Sequence, residues 1–297
     1  MKTGRFAPSP SGRMHLGNLF TALLAWLSVR SQGGNMILRI EDLDPQRSKE
    51  EYITAIREDL RWLGLDWDQE MPLQSTRSDI YQDYFQKLPV YPCYCSRNEL
   101  HAASAPHASD GTFVYTGTCR KLTEEARSLK TRVPSWRVCV PEKRVRFTDG
   151  VFGIQEENLA QQCGDFILRR ADGVYAYQLA VVCDDALGGI SEVVRGMDLL
   201  GSTARQIWLY ETLGFSVPEF YHIPLLLAPD GKRLSKREKS LDMEHLRLGH
   251  RPEEIIGKLA FTAGLLPKFE PIAAKELIAD FNWSKISPKN RIIDLEF

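Results

Sequence analysis

Short apolar runs alternate with longer amphipathic segments in the first part of the chain. The run "TGRFA" at 3–7 predicts a strand, and the apolar stretch over about 16–32 predicts a helix that two glycines end. "NMILRIED" at 35–42 predicts a second strand with carboxylates behind it. Ser48 is expected to cap a further helix, because Glu51 follows at the spacing of a capping box. This order of elements predicts an α/β fold with a parallel, doubly wound sheet.

The pattern changes at Tyr91. Residues 91–120 have little periodicity, and alternation over 135–152 predicts antiparallel strands that turn at "PEK". This middle part therefore indicates an insertion into the α/β domain. Three apolar segments, "DFILRR", "VYAYQLAVVC" and "ISEVVRG", are interpreted as strands of the resumed pattern. Ser202 is then expected to cap a helix that runs to Leu213, and "HIPLLLA" predicts a last apolar strand before several short helices.

The composition is that of an ordinary globular protein. Of 297 residues, 43% are hydrophobic and 26% are charged, which is enough for one large or two modest domains. The formal net charge of −1 gives no overall field for nucleic acid, so an RNA contact needs a local basic patch. The apolar run at 19–29 is too short to span a bilayer, and no cleavage site marks a signal peptide. The six cysteines are scattered except for "CYC" at 93–95, so we expect a cytoplasmic protein without membrane contact.

The segment "PSPSGRMHLGN" at 8–18 leads directly into the first predicted helix. A helix N-terminus offers free N–H groups and a positive dipole end, which together favour a phosphate. His15 and Asn18 add donors, and Gly17 leaves the backbone open to a flat ligand. Alternatively, the glycines only shape the turn and His15 is satisfied locally. A second segment, "KRLSKR" at 232–237, either folds its cations over a triphosphate or is a solvated basic turn.

These two segments resemble the signature motifs of class I aminoacyl-tRNA synthetases, with "HLGN" as the first and "RLSKR" as the second. The stretches "GRFAPSPSGRMHLGN", "RIEDLD" and "VVRGMDLLGSTARQ" further resemble the catalytic half of glutamyl-tRNA synthetases. The resemblance implies an ATP-dependent ligase that forms glutamyl-adenylate and releases pyrophosphate, with Mg²⁺ accompanying the ATP. It also implies the class I fold, a Rossmann-like doubly wound parallel α/β sheet with an inserted zinc-bearing connective subdomain and a small C-terminal helical subdomain.

The same resemblance divides the chain into four segments. Residues 1–90 are expected to form the first half of the catalytic domain, and residues 91–165 the inserted zinc-binding, acceptor-type subdomain. Residues 166–225 are expected to form the second half of the catalytic domain. Residues 226–297 are expected to hold the lysine-rich signature loop and a helical subdomain like the stem-contact region of synthetases.

The resemblance also assigns residues to the two substrates. His15 and Lys236 are expected to stabilise the charged transition state of adenylate formation. The residues expected to bind ATP are His15, Gly17, Asn18, Arg233, Ser235 and Lys236. The residues expected to bind glutamate are Arg5, Ser9, Glu41, Tyr177 and Arg195. Arg233 stands where the motif has a lysine, which keeps the charge but changes the hydrogen-bond geometry.

Glutamate needs guanidinium groups for its carboxylates and an acid for its ammonium. The resemblance makes Arg195 the expected partner of the side-chain carboxylate and Glu41 the expected partner of the ammonium. Tyr175 stays an alternative to Tyr177, because two residues along a strand lie on the same face. For the charged residues, the alternative role is a structural ion pair or a solvated strand end.

The "CYC" pair and Cys119 offer three thiolates to one zinc ion, whose structural sites are four-coordinate. From the chemistry of the residues alone, His101 or His107 is the natural fourth ligand. The resemblance instead implies Cys93, Cys95, Tyr115 and Cys119, because "CYC" and "YTGTC" match the arrangement in the related enzymes. Three free buried thiols without metal are the alternative. The other cysteines are interpreted as core residues; they are Cys139, Cys163 and Cys183.

The expected acceptor depends on the length of the chain. Glutamyl-tRNA synthetases carry a long helical region that reads the anticodon, whereas this chain ends at Phe297. Truncated relatives with this layout are glutamyl-queuosine tRNA(Asp) synthetases, which activate glutamate without tRNA and transfer it to the queuosine base at the wobble position of tRNA(Asp). The resemblance therefore implies a monomer whose partners are ATP, glutamate and the anticodon region of tRNA(Asp).

Other functions stay open at this stage. They are a glutamyl-tRNA synthetase acting on tRNA(Glu), a nucleotidylyltransferase with a similar first motif, and a catalytically inactive zinc-containing RNA-binding paralogue. The basic runs "PEKRVRF" and "RR" at 169–170 are interpreted as contacts to RNA phosphates or, equally, as charged edges that protect strands.

Overall fold

A seven-stranded sheet forms the centre of the protein. The computed structural model describes residues 1–96, 114–231 and 242–293. In spatial order the strands of this sheet are β3 (Gln69–Glu70), β2 (Asn35–Leu38), β1 (Thr3–Phe6), β9 (Glu192–Gly196), β10 (Glu219–Ile223), β6 (Arg144–Asp149) and β7 (Gly153–Asn158). Neighbours from β3 to β6 are parallel, and only the edge strand β7 runs antiparallel to its partner. The predicted parallel α/β sheet is confirmed.

Helices cover both faces of this sheet. They are α1 (Leu16–Ser31), α2 (Glu50–Trp62), α3 (Ser78–Phe85), α4 (Glu124–Ser128), α5 (Tyr177–Leu187), α6 (Thr203–Thr212), α7 (Met243–Gly249) and α8 (Pro252–Ala263). Along β2, Met36 and Leu38 enter the core formed with α1, α2, α7 and α8, whereas Ile37 enters the core formed with α3, α5 and α6. On β9, Val194 enters the first of these cores and Val193 enters the second. Because successive side chains of a strand point to opposite faces, two covered faces require near-continuous apolar strands.

A second, smaller sheet lies beside the first. Its strands are antiparallel, in the order β4 (Val90–Cys93), β5 (Ser135–Val138) and β8 (Ile167–Arg169). The predicted turn at "PEK" is wrong, because β5 pairs with β4 and β8 while β6 pairs with β7 and joins the main sheet beside β10. Alternation identifies strands but not their partners. The segment boundaries at 90, 165 and 225 stay predictions.

The local predictions had mixed outcomes. The first strand, the first helix and the helix over 252–263 are confirmed. The Ser48 cap is wrong, since α2 begins at Glu50 and its cap residue Lys49 makes no side-chain cap bond. Ser202 occupies the cap position of α6 but also makes no such bond. The strand expected for "VYAYQLAVVC" is the helix α5, because a short apolar run does not distinguish a buried strand from a buried helix.

The end of the described chain returns to the main body. β11 (Leu226–Leu227) pairs in parallel with β12 (Arg291–Ile292), and α8 packs against α1. Between α8 and β12 along the chain, "AAKELIADF" forms a 3₁₀ turn over Ala274–Leu277 where a short helix was expected. Within the described ranges, every helix is too short or too polar to cross a bilayer.

Candidate active site

A cleft of about 850 Å³ opens where the parallel strands β1, β2, β9 and β10 end. In open α/β sheets, ligands bind at this carboxyl edge, where the order of the strands reverses. Eight of the predicted site residues line this cleft, and they are Arg5, Ser9, His15, Gly17, Asn18, Glu41, Tyr177 and Arg195. The structure therefore brings together every predicted ATP and glutamate residue that it describes. Arg233, Ser235 and Lys236 lie outside the described residues, as do His101 and His107.

His15 is the N-cap residue of α1. Its Nδ1 accepts from the Gly17 N–H at 3.1 Å, and Asn18 Oδ1 accepts from the His15 N–H at 3.1 Å. These two bonds form a reciprocal capping box, in which a histidine takes the place of the usual serine or threonine. A Cβ at position 17 would lie 3.0 Å from the His15 ring, so glycine lets the ring lie against the start of the helix.

The chain on either side of the basic second motif also reaches the cleft. Before residues 232–241, Leu226 lines the cleft. After them, Asp242 forms an antiparallel bridge with His15, and the Met243 N–H donates to the Met14 carbonyl at 2.9 Å. One flank of the motif therefore lines the cleft, and the other lies next to the N-terminus of α1.

Buried charges hold the opposite wall of the cleft. Asp185 Oδ1 accepts from Arg5 Nε at 3.1 Å and from Arg39, and Arg39 Nη2 donates to Glu41 Oε1 at 2.9 Å. Burial acts to raise the pKa of Asp185, but the guanidinium groups of Arg39 and Arg5 outweigh it and hold that pKa below its ordinary value. Burial raises the pKa of Glu41, which Arg39 only partly opposes. A bound ammonium would therefore stabilise the ionised form of Glu41.

Arg195 lies at the end of β9 and is only 4% exposed. Its Nε donates to His222 Nε2 at 3.0 Å, its Nη1 to Gln206 Oε1 at 2.7 Å and its Nη2 to Thr203 Oγ1 at 2.9 Å. Among the described residues these contacts occupy three of its five N–H donors, leaving one on each terminal nitrogen. A carboxylate in the cleft can accept both.

Tyr177 and Tyr175 have different surroundings although both line the cleft. The Tyr175 hydroxyl donates to Gln82, and its ring packs edge-on against Tyr81. Burial raises the pKa of Tyr177, and the charges acting on it are Arg195, Glu41 and Arg5. Tyr177 thus lies among the charged residues of the cleft.

Sequence reasoning missed the residues that support this site. Asp185 lies two positions after "VYAYQLAVVC", whose interpretation as a strand concealed a helix that continues through two buried aspartates. A pair of aspartates in an apolar run was the available signal. Arg39 lies in the predicted strand "NMILRIED", and an arginine inside an apolar run was the available signal. Because the structure buries this arginine completely, it requires a partner for its charge.

A cysteine cluster lies on and beside the small sheet. Its members are Cys93, Cys95, Cys119 and Tyr115. The three Sγ atoms lie within 4.8 Å of one another. The Tyr115 hydroxyl is 3.5 Å from Cys93 Sγ and 3.7 Å from Cys95 Sγ, and Cys95 Sγ is 3.5 Å from Cys119 Sγ. Burial and the neighbouring thiols raise the pKa of Cys95 to about 12, so its thiolate form needs a nearby cation.

Cys163 and Cys183 are buried core residues, as predicted. Cys139 is half-buried instead: it packs beside the cysteine cluster and accepts from Arg120 Nε at 2.9 Å.

Comparisons with known proteins agree with this geometry. The family model of tRNA synthetases class I (E and Q), catalytic domain, matches residues 2–296. A glutamyl-Q tRNA(Asp) synthetase from Symbiobacterium thermophilum is 48% identical over 96% of this chain and 94% of its own length. One from Nitratidesulfovibrio vulgaris is 47% identical over 94% and 91%. The chain therefore belongs to the class I tRNA synthetases of the E and Q type, among the glutamyl-Q tRNA(Asp) synthetases.

Solved structures give the same result. A glutamate tRNA ligase from Elizabethkingia meningosepticum, in complex with its amino acid, has a TM-score of 0.84 and 30% identity over 99% of this chain and 67% of its own. A methionyl-tRNA synthetase from Mycobacterium tuberculosis, at a TM-score of 0.56 and 10% identity, over 87% of this chain and 64% of its own, shares the fold alone. The class I synthetase fold expected from the two motifs is thus confirmed.

Proposed function

We propose that the protein activates glutamate with ATP, without needing tRNA, and transfers the glutamyl group to queuosine at the wobble position of tRNA(Asp). The observation that carries this proposal is the cleft itself, which combines a helix N-terminus capped by His15 with the buried guanidinium groups of Arg5 and Arg195. The names of the relatives support the choice of acceptor.

The ATP phosphates are proposed to bind at the N-terminus of α1. The positive end of the helix dipole favours an anion there, although the Gly17 N–H already donates to His15 Nδ1. His15, Gly17 and Asn18 form this end of the cleft, and the family motif adds Arg233, Ser235 and Lys236 from the segment between the two flanks described above. Mg²⁺ bound with ATP would offset the charge of its phosphates.

Glutamate is proposed to bind along the wall formed by β1, β2 and β9. Arg195 offers its two remaining N–H groups to the side-chain carboxylate, and Glu41 accepts from the α-ammonium. Arg5, Ser9 and Tyr177 complete this end of the cleft. Two guanidinium groups and one acid match a substrate with two carboxylates and one ammonium.

Adenylate formation then needs positioning more than covalent chemistry. An oxygen of the α-carboxylate attacks the α-phosphorus of ATP, the bond from that phosphorus to the bridging oxygen of the β-phosphate breaks, and pyrophosphate leaves. His15 and Lys236 are proposed to stabilise the charge that develops on the phosphoryl oxygens. In the second step, a hydroxyl of the queuosine cyclopentene-diol attacks the glutamyl carbonyl carbon and AMP leaves.

The cysteine cluster is proposed to hold one structural zinc ion through Cys93, Cys95, Tyr115 and Cys119. Tetrahedral ligands at ordinary zinc distances would place two sulfurs about 3.8 Å apart and a sulfur and an oxygen about 3.5 Å apart. The separations of 3.5 and 3.7 Å from Tyr115 and of 3.5 Å between Cys95 and Cys119 fit this. Such an ion would supply the positive charge that the thiolates need, and it would tie the segment carrying Tyr115 and Cys119 to the small sheet.

The anticodon region of tRNA(Asp) is proposed to approach the cleft along the basic strand edges. Arg170 lines the cleft and pairs with Asp172 at 2.6 Å. Lys143 pairs with Glu211 and Arg144 with Glu156, so RNA phosphates would replace these carboxylates. If the triple variant of Lys143, Arg144 and Arg146 keeps the affinity for tRNA and its dependence on salt, this part of the proposal is wrong. A cytoplasmic monomer with the four-segment organisation given above completes the proposal.

Pyrophosphate exchange tests the first step. Glutamate, but not aspartate or glutamine, should drive the incorporation of labelled pyrophosphate into ATP in the absence of tRNA. Labelled glutamate and ATP should then label tRNA(Asp) that contains queuosine. Matched tRNA(Asp) without queuosine and tRNA(Glu) are the controls. Labelling of tRNA(Glu) alone, or no exchange with well-folded protein, would contradict the proposal.

A further inference from the structure

Three neighbouring parallel strands each place one polar side chain in a single buried row. Arg195 on β9 stands opposite His222 on β10 in the strand register, and Asp149 ends β6 beside them. His222 and Asp149 are 0% and 1% exposed. His222 Nδ1 lies 2.6 Å from Asp149 Oδ2, and His222 Nε2 accepts from Arg195 Nε at 3.0 Å. Phe220 packs against both cation and ring, with the Arg195 guanidinium 5.3 Å from its centroid.

The two ends of this row fix one tautomer of His222. The Nε of an arginine always carries a proton, so His222 Nε2 must be the acceptor. The carboxylate of Asp149 also accepts from the backbone N–H groups of Val151 and Phe152, at 3.0 and 2.9 Å, which favour its ionised form. His222 Nδ1 must therefore carry the proton and donate it to Asp149.

We infer that Asp149 and His222 position Arg195 for the side-chain carboxylate of the substrate by holding His222 neutral with its proton on Nδ1. His222 is thus a positioning residue that acts through Arg195, and it sets the affinity for the amino acid rather than the rate of the chemical step. This inference rests on the proposed function, since it takes glutamate as the ligand of Arg195. Nothing in the sequence motifs points to this role, because the three residues are 27 and 73 positions apart.

An amide at position 149 should reverse this arrangement of protons. In Asp149→Asn, the oxygen of the amide stays at the Oδ1 position, where the backbone N–H groups of Val151, Phe152 and His222 all donate, so its NH₂ group turns towards the ring of His222. His222 Nδ1 must then accept, the proton moves to Nε2, and that N–H faces the N–H of Arg195. Two donors cannot share a hydrogen bond, so Arg195 loses one of its three side-chain hydrogen bonds and shifts, while those to Gln206 and Thr203 remain.

Two substitutions at position 222 distinguish the loss of the hydrogen bond to Arg195 from a change in packing. His222→Gln can place its amide oxygen near the former Nε2 and still accept from Arg195, whereas the shorter side chain of His222→Asn reaches only Asp149. Loss of one hydrogen bond to a charged group changes binding by about 10–100-fold. We expect Asp149→Asn and His222→Asn to raise the KM for glutamate in pyrophosphate exchange by about this factor. The kcat and the KM for ATP should change less than about threefold, and His222→Gln should stay within about threefold of wild type.

Asp68→Asn is the matched control, because Asp68 also accepts from a backbone N–H and an arginine but lies outside the cleft. Unchanged KM values for glutamate in Asp149→Asn and His222→Asn, beside an active wild type, would overturn the inference. Equal effects of the Gln and Asn variants at position 222 would also overturn it, since packing alone predicts them.

Nuclear magnetic resonance of ¹⁵N-histidine decides the geometry without any activity. Among the six histidines of the chain, the signal that is lost in His222→Gln identifies His222. It should report the Nδ1–H tautomer in wild type and the Nε2–H tautomer in Asp149→Asn. An Nε2–H tautomer in wild type, or no change in the variant, would overturn the inference. Absence of glutamate-dependent exchange in wild type with the expected tautomer would instead overturn the proposed function.

Discussion

The cleft and the cysteine cluster assemble their polar groups over very different distances along the chain. In the cleft, Arg5 and Asp185 are 180 positions apart, and Arg195 meets Gln206 and His222 from neighbouring elements. In the cysteine cluster, all four members fall within 93–119. The geometry of the cleft therefore depends on the register of the main sheet, whereas that of the cluster depends on a short part of the chain and on the zinc ion proposed to bind there.

The two regions also balance charge in different ways. In the cleft, buried guanidinium groups and carboxylates neutralise one another before any substrate binds. In the cysteine cluster, three thiols and a phenol face each other, and Arg137 is the cation beside them, with Nε 3.3 Å from Cys93 Sγ and its guanidinium 3.9 Å from the centre of the Tyr115 ring. The first region is therefore preformed by folding, while the second is where we propose that an ion completes the charge balance. Five predictions test this difference.

The largest effect is expected from Asp185→Asn, which leaves the guanidinium groups of Arg5 and Arg39 buried without their shared carboxylate. Breaking a buried ion pair in this way costs about 3–5 kcal/mol. We expect the free energy of unfolding in urea at pH 7 to fall by about that amount, while the bound metal stays at the wild-type level. Asp68→Asn, an exposed control, should lose less than about 1 kcal/mol.

The same variant has a defined dependence on pH. The pKa of Asp185 is lowered in the folded protein, so its contribution is present above the ordinary value of 3.8 and is lost as the pH falls through the lowered pKa. The stability difference between wild type and Asp185→Asn should therefore be constant from pH 5 to 8 and shrink below about pH 4. A difference that grows on acidification would contradict the assigned role of Asp185.

The next effect concerns the binding of glutamate alone. Arg195→Ala removes the buried charge that is proposed to bind the side-chain carboxylate of glutamate, and such a loss typically costs about 2–5 kcal/mol. We expect kcat/KM for glutamate in pyrophosphate exchange to fall by about 100–1,000-fold, with the KM for ATP nearly unchanged. Arg195→Lys should recover only part of this loss, because a lysine cannot donate to His222, Gln206 and a carboxylate together. A loss of less than about threefold in Arg195→Ala would remove Arg195 from the site.

Tyr115→Phe examines the other region. Removing its hydroxyl takes away one of the four proposed ligands. Loss of an outer-shell partner weakens metal binding by about 10–100-fold, and loss of a direct ligand should weaken zinc binding at least as much. Metal content after dialysis against a weak chelator measures this. Glutamate-dependent exchange should change less than about threefold, because the cleft does not share the cluster's residues. Tyr94→Phe is the matched control, and equal metal loss in both variants would contradict Tyr115 as a ligand.

The smallest effect is a change in how steeply the free energy of unfolding depends on pH. Burial and then the charge of Arg195 lower the pKa of His222 below 6.5, although Asp149 opposes them. The unfolded chain therefore binds a proton before the folded protein does, so His222 makes the protein less stable as the pH falls below 6.5, until the lowered pKa is reached. His222→Gln should flatten this slope by at most about 1.4 kcal/mol per pH unit, measured by urea unfolding at pH 7.5 and 5.5. Identical slopes would contradict the neutral state of His222.

Several features were predictable from short stretches of sequence. The pattern of residues 3–42 predicted β1, α1 and β2, because hydrophobic period and helix boundaries are local properties. The motif "HLGN" predicted a ligand site at the start of α1, since a helix N-terminus has the same chemistry in any fold. The "CYC" pair and Cys119 were expected to offer three thiols to one ion, and the structure confirms that their three sulfurs lie within 4.8 Å of one another.

Other features were not predicted from the sequence, for equally physical reasons. "VYAYQLAVVC" carries the same apolar signal for a buried strand and a buried helix, so α5 and its Asp185 went unseen. The partners of β5 and β6 were wrong because alternation does not encode which strand lies alongside.

Short stretches of sequence were enough for the class of fold, for the first helix and for the candidate set of thiols, because each depends on a pattern within a limited part of the chain. The assembled fold was needed to show that Arg195 stands between His222 and the cleft, that Asp185 serves two arginines, and that β6 belongs to the main sheet. These contacts join residues up to 180 positions apart, and their partners are fixed by sheet register and burial, which act only once the strands are aligned.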